Sequence, residues 1–254
     1  MYRFLACILG FFPSIAMALP VNWQMDFQES ASTAMEKFVN LHNLLLVIII
    51  AVVVFVFALL AYTCIRYHHK NNPVPKKFTH HLGIEILWTL VPCILLIIIA
   101  IPSFRLLYYV DTIGEMDMTV KVVGRQWFWQ YEYPEEKIGF DSYMVPDDQI
   151  KGDQVRLLSV DNEMVLPTDT DIRIMVTGGD VIHSFAVPAF GMKIDAVPGR
   201  INETWVRITK PGQYYGQCSE LCGVGHGFMP ISIKAVSKEN YKAWVIDAKK
   251  KFPS

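Results

Sequence analysis

Fifteen residues near the end of the chain, Gly216 to Pro230, hold two thiols, an imidazole and a thioether: Cys218, Cys222, His226 and Met229. A second imidazole, His183, lies 35 residues upstream of Cys218. Thiolate, imidazole and thioether together make a soft donor set that suits copper. The run also contains Gly216, Gly223, Gly225 and Gly227, which let the backbone wrap closely around an ion. The other cysteines, Cys7, Cys64 and Cys93, stand in apolar runs and read as packing residues.

Four arrangements use these donors differently. A structural zinc site could take Cys218, Cys222, His226 and His183, but it has no use for Met229. A blue-copper site needs one Cys, two His and a weak Met, which leaves a thiolate over. A Cys218–Cys222 disulfide fits an extracytoplasmic place and makes the histidines incidental. Two thiolates bridging two copper ions use every donor.

The elements that must position these residues follow a sharp change in composition. Arg3, the apolar run Phe4–Ile15 and the small-x-small triplet Ala16-Met17-Ala18 have the layout of a secretory signal. Residues 1–18 are therefore expected to be a cleaved signal peptide. Residues 44–65 are 22 without a charge, about 33 Å as a helix and enough to cross a bilayer. Residues 86–104 are a second uncharged run, of 19. Pro92 inside it is tolerable in a membrane helix. Residues 19–110 thus form an N-terminal segment and a two-helix transmembrane hairpin. The loop 66–83 carries Arg66, Lys70, Lys76 and Lys77 and no acid, so it belongs on the cytoplasmic side of a cell membrane. Both termini and everything after the hairpin then face the periplasm. His68, His69, His80 and His81 in that loop read as solvated polar residues rather than a metal site.

From Asp111 the pattern turns to short β-rich runs, with strands expected at 118–123, 126–133, 155–160, 171–177, 201–208 and 230–236. Glycines and prolines punctuate them, and no helical pattern intervenes. That argues for an all-β sandwich or barrel over 111–236. Residues 237–254 read as a helix and tail, capped by Ser237, with Tyr241, Trp244, Val245 and Ala248 on one face. By alternation Trp127, Trp129, Tyr131 and Tyr133 share one face of a strand. The plain reading of that run is sandwich core or interfacial anchoring.

Net charge is close to zero, but residues 111–180 carry 15 acidic against 6 basic side chains. Such a surface repels nucleic acid and attracts a basic protein.

The motif C-S-E-L-C-G-x-x-H-x-x-M-P from Cys218 resembles the dinuclear copper (CuA) loop of cytochrome c oxidase subunit II. The stretches from Asp180, Gly124, Phe140 and Asp195 are similar to further segments of that family, and the likeness runs from about Trp23 to Trp244. It implies a cupredoxin-like Greek-key sandwich on a two-helix hairpin. It also implies that Cys218 and Cys222 bridge two coppers, with His183 and His226 as imidazole ligands. Met229 and the Glu220 carbonyl would be weak ligands. The Glu220 side chain would reach a magnesium shared with subunit I, a hard ion suited to a carboxylate. Trp127 would be the electron entry point from cytochrome c, and Asp141, Asp161 and Asp180 its docking face. Glu85 would mark the mouth of a proton channel in subunit I. Arg125 stands where many relatives carry histidine, which touches no ligand. The activity implied is electron transfer from cytochrome c to haem in subunit I, for oxygen reduction coupled to proton translocation. A copper-free quinol oxidase subunit and a tethered carrier without a partner are the rival classes. The four Cys and His donors argue against the first, and Glu220 and Glu85 against the second.

Overall fold

A computed structural model of the chain describes residues 16–19, 21–74 and 76–252. The signal core expected over residues 1–15 lies outside the described residues. The chain divides into two units, Thr33–Gly114 and the residues up to Ser32 together with Glu115–Ser254.

The first unit is a pair of helices, α1 (Thr33–Arg66) and α2 (Leu82–Asp111). Both run past the uncharged stretches 44–65 and 86–104. A helix satisfies its own backbone, so nothing stops it at the edge of the hydrocarbon. No residue in the most apolar stretch of either helix is buried. A soluble core helix buries that surface; a membrane helix gives it to lipid. The chain is a membrane protein. At the start of α2 the His81 ring accepts from the Ile84 N–H, and Glu85 Oε1 accepts from the His81 N–H at 3.0 Å. This is a reciprocal cap on the first turn. Pro92 and Pro102 both lie inside α2. The Tyr109 hydroxyl donates to Thr33 Oγ1 at 2.8 Å and ties the two helices together.

The second unit is a β-sandwich. Its strands are β1 (Ala16–Ala18), β2 (Met118–Arg125), β3 (Phe128–Tyr133), β4 (Ile138–Ser142), β5 (Met164–Pro167) and β6 (Asp171–Gly178). They continue with β7 (His183–Val187), β8 (Met192–Ala196), β9 (Asn202–Arg207), β10 (Gly212–Cys218) and β11 (Pro230–Val236). One sheet runs β5-β11-β10-β7-β8, with β1 beside β10, and the other β4-β3-β2-β6-β9. After β4 the chain crosses repeatedly from sheet to sheet, as in a Greek-key sandwich. Alternation builds the core. Trp129, Tyr131 and Tyr133 of β3 and Ile172, Ile174 and Val176 of β6 are all buried, and truncating one such aromatic costs about 3–5 kcal/mol.

The last helix, α3 (Lys238–Lys251), starts at Ser237, whose side chain accepts from the Asn240 N–H. Its buried side chains are Tyr241, Val245 and Ala248, while Trp244 packs on Tyr133 with ring centroids 5.2 Å apart.

Three expectations change. The strand at 155–160 does not form. The segment turns on itself through Ser159 N–H to Val155 O at 3.0 Å, with Leu157 at φ 65°, and only Val160 bridges, to Met144. The strand at 126–133 starts at Phe128. Gln126 and Trp127 close the β2–β3 hairpin instead, because Arg125 pairs with Phe128. Trp127 therefore does not share the buried face of Trp129, Tyr131 and Tyr133. Ala31 and Ser32, expected with the hairpin, belong to the sandwich. The Ala31 N–H donates to Ala189 O and its carbonyl accepts from the Thr209 N–H, both at 2.9 Å, and Ser32 is fully buried.

Candidate metal centre

Register brings the donors together. His183 opens β7 and Cys218 ends β10, and these strands pair antiparallel with Phe185 opposite Cys218. That closes the 35-residue gap. Gln217 pairs with Pro230 across β10 and β11, so the connection carrying Cys222, His226 and Met229 must fold back over the same strand ends. Gly216 makes the approach feasible, since a Cβ there would overlap the Ala186 carbonyl oxygen.

The sulfurs of Cys218 and Cys222 are 3.9 Å apart, and both cysteines are free. The donors divide into two ends. His183 Nδ1 lies 3.8 Å from Cys218 Sγ, and the Glu220 carbonyl oxygen lies 3.4 Å from the same sulfur. His226 Nδ1 and Met229 Sδ lie 3.6 and 3.5 Å from Cys222 Sγ. His183, Cys218 and Cys222 have donor atoms mutually within 4.8 Å, and His226 falls outside that set. A tetrahedral ion draws all four ligands around one point. Here one imidazole stands beside each thiol, so the donors are spread over two ends rather than drawn around one point.

Electrostatics agree with a cation-binding role. Burial disfavours ionising Cys218, but hydrogen bonds from His183 and from backbone groups outweigh it and lower the thiol. Burial and the charge on Cys218 then push the Cys222 thiol up. Cys218 therefore gives up its proton more readily than Cys222.

The description "Cytochrome C oxidase subunit II, periplasmic domain" matches residues 118–236, and the transmembrane domain of the same subunit matches residues 20–106. The chain belongs to the cytochrome c oxidase subunit II family. It is 54% identical over 247 residues to the probable cytochrome c oxidase subunit 2 of Rickettsia felis, covering 97% of this chain and 78% of that one. It is 45% identical over 245 residues to the cytochrome c oxidase subunit 2 of Chondrus crispus, covering 94% and 96%. The crystal structure of the periplasmic domain of subunit II from Bradyrhizobium japonicum aligns with TM-score 0.52 at 54% identity, over 56% of this chain and 99% of that one.

Other residues singled out in this subunit II chain fall in distinct places. Trp127 is 37% exposed at the hairpin tip, and its Nε1 donates to the Cys222 carbonyl at 3.2 Å. Its ring lies where a Cβ on Gly225 would stand. The Glu220 side chain is exposed. Asp161 Oδ1 accepts from the Tyr143 N–H at 2.8 Å. The Tyr143 hydroxyl is held above its ordinary range by burial first, then by the charges of Asp141 and Asp161. Asn162 Nδ2 donates to the Asp141 carbonyl at 3.0 Å, which holds the segment carrying Asp161 beside the strand carrying Asp141. Glu85 lies on α2, in the other unit.

Asp180 differs from the other acids. Its carboxylate accepts from Gln126 N–H at 2.7 Å, from Val181 N–H at 2.6 Å and faces His183 Nε2 at 2.8 Å. Burial works against a proton on His183, but Cys218 and Asp180 outweigh it. Anchored at Nε2, the ring presents Nδ1 to Cys218, as supporting carboxylates orient metal-bound histidines. Asp180→Asn is expected to cost about 1–3 kcal/mol, read as a lower melting temperature of the metal-free chain. An unchanged melting temperature with weaker cytochrome c binding would leave Asp180 a docking residue only.

Two contacts have no counterpart in the sequence reading. Gln126 Nε2 donates to the Cys222 carbonyl at 2.8 Å, and Trp129 Nε1 donates to the Met229 carbonyl at 3.2 Å. Their one local signal is that both flank Trp127 in the aromatic run.

Proposed function

We infer that this chain works as the electron-accepting subunit II of a cytochrome c oxidase, taking electrons from cytochrome c and passing them to haem in subunit I, where oxygen is reduced to water with proton translocation. The observation that carries this is the division of four donors into two ends around a thiol pair, in a chain of this family. Cys218 and Cys222 would lie between two coppers. His183 and the Glu220 carbonyl would serve one end, and His226 and Met229 the other. A copper pair held there supplies a one-electron centre whose charge change is spread over two ions, so little has to reorganise.

The chain's own residues do the rest. Asp180 fixes the His183 ring, Trp129 holds the Met229 backbone, and Gln126 with Trp127 holds the Cys222 carbonyl. These bonds pre-set the donors. Trp127, exposed on one side and bonded to a ligand residue's backbone on the other, is the entry point. Asp141 and Asp161 form the docking face, with Asp180 adding its charge. The exposed Glu220 carboxylate would share a magnesium with subunit I, which must complete the shell. Glu85 would mark the proton-channel mouth, its second oxygen taking no hydrogen bond among the described residues. The sandwich and both termini would face the periplasm, with loop 66–83 in the cytoplasm; removal of residues 1–18 as a signal would take away β1, which pairs with β10 in the uncleaved chain.

Turnover with cytochrome c tests the docking half. Exposed charges are screened beyond about 8–10 Å near physiological salt, so turnover should fall as ionic strength rises. Asp141→Asn combined with Asp161→Asn should raise KM severalfold and flatten that dependence, leaving kcat unchanged. An identical salt profile in the double variant would reduce these acids to a solubility feature.

A further inference from the structure

We propose that the cleft between α1 and α2 beside Lys37 and Arg105 binds one anionic phospholipid, with the phosphate on the two cations and an acyl chain along the apolar floor below them. The cleft measures about 300 Å³. Lys37, Leu41 and Leu44 line it from α1 and Pro102, Arg105, Leu106 and Tyr109 from α2. Spacings of three, four and seven residues put each set on one helical face. Its composition is graded. On α1, Leu41 and Leu44 lead from Lys37 toward the uncharged run 44–65, and on α2 Pro102 lies inside the run 86–104, so the apolar lining lies on the membrane side of the two cations.

Depth fits the same occupant. Arg105 directly follows the uncharged run 86–104, and Lys37 precedes the run 44–65 by seven residues, about 10 Å along a helix. Both cations thus lie at headgroup level. No acid lines the cleft, and neither cation is in a salt bridge among the described residues. Lys37 Nζ instead rests 4.6 Å from the centre of the Tyr109 ring, which the bond to Thr33 holds in place. A guanidinium and an ammonium lining one cleft can share an anion, and a phosphate diester matches the guanidinium fork. A free phosphate would leave the leucine floor uncovered; a phospholipid covers both parts.

The test uses the intact oxidase in mild detergent with a phosphatidylglycerol carrying a diazirine on one acyl chain. Labelled peptides are then mapped. Label is expected on the segments around Lys37–Leu44 and Pro102–Tyr109, displaced by excess phosphatidylglycerol and not by phosphatidylcholine or inorganic phosphate. Lys37→Gln with Arg105→Gln should lower labelling about tenfold, the loss typical of a charge-assisted contact. Leu44→Trp, which fills the floor and keeps both cations, should lower it as well, and it decides the question if the double variant fails to assemble. Equal labelling in the variants overturns the proposal. So does displacement by inorganic phosphate, which would make this a simple anion site, or label confined to neighbouring subunits, which would mean that protein covers the cleft.

Discussion

Replacing Cys218 or Cys222 by serine is expected to lower the bound copper from two ions per chain to one or none, and to abolish the mixed-valence EPR signal. The reason is geometric. The two sulfurs are 3.9 Å apart with one imidazole beside each, so neither end keeps its donors once a shared sulfur is gone. Serine is close in size and cannot act as a soft bridging ligand. Copper should also stabilise the wild-type fold. At a thousandfold excess over Kd a ligand adds about 4 kcal/mol, on the order of 10 °C in melting temperature for a unit of this size. Both serine variants should lose most of that gain. Metal analysis, EPR and melting curves of the same preparations check all three points. Two coppers retained in both variants would refute a bridging role, and one copper in the wild type would restore a single-ion site.

Trp127→Leu should slow reduction of the centre by cytochrome c on the order of a hundredfold, a loss comparable to misplacing a reacting group by about 1 Å. Affinity for cytochrome c should hardly change, because Asp141 and Asp161 remain. The indole bonds the Cys222 carbonyl and rests against the Gly225 backbone, so its removal opens a gap between the exposed surface and the metal loop. The copper spectrum should persist, since no donor atom is lost. Trp127 is partly exposed and outside the buried face of β3, so the cost in stability should stay within about 2 kcal/mol. Stopped-flow reduction run beside a melting curve separates transfer from packing. A variant that melts early yet accepts electrons at the native rate would make Trp127 a packing residue.

Much of the site was legible as residue types. Cys218, Cys222, His226 and Met229 lie so close in sequence that a short glycine-rich connection has to bring them near one another. Two uncharged runs defined the membrane segments without any tertiary information, because a bilayer tests only length and polarity. The β character of the remainder followed from turn residues and alternation. These are local properties, and the chain carries them whatever its partners.

Other features depended on strand pairing. His183 is 35 residues from Cys218, and only the β7–β10 register makes it the imidazole of that end rather than of the Cys222 end. Alternation put Trp127 on the core face. The pairing of Arg125 with Phe128 moves it to the hairpin tip and onto the metal loop. Asp180 was read from the sequence as one of three docking acids, whereas in the fold its carboxylate also bonds two backbone N–H groups and a histidine. Val155–Val160 has strand-like composition but finds no strand partner and closes into turns. A side chain's face and a strand's existence depend on hydrogen bonds to residues far along the chain, and a local pattern holds no information about those partners.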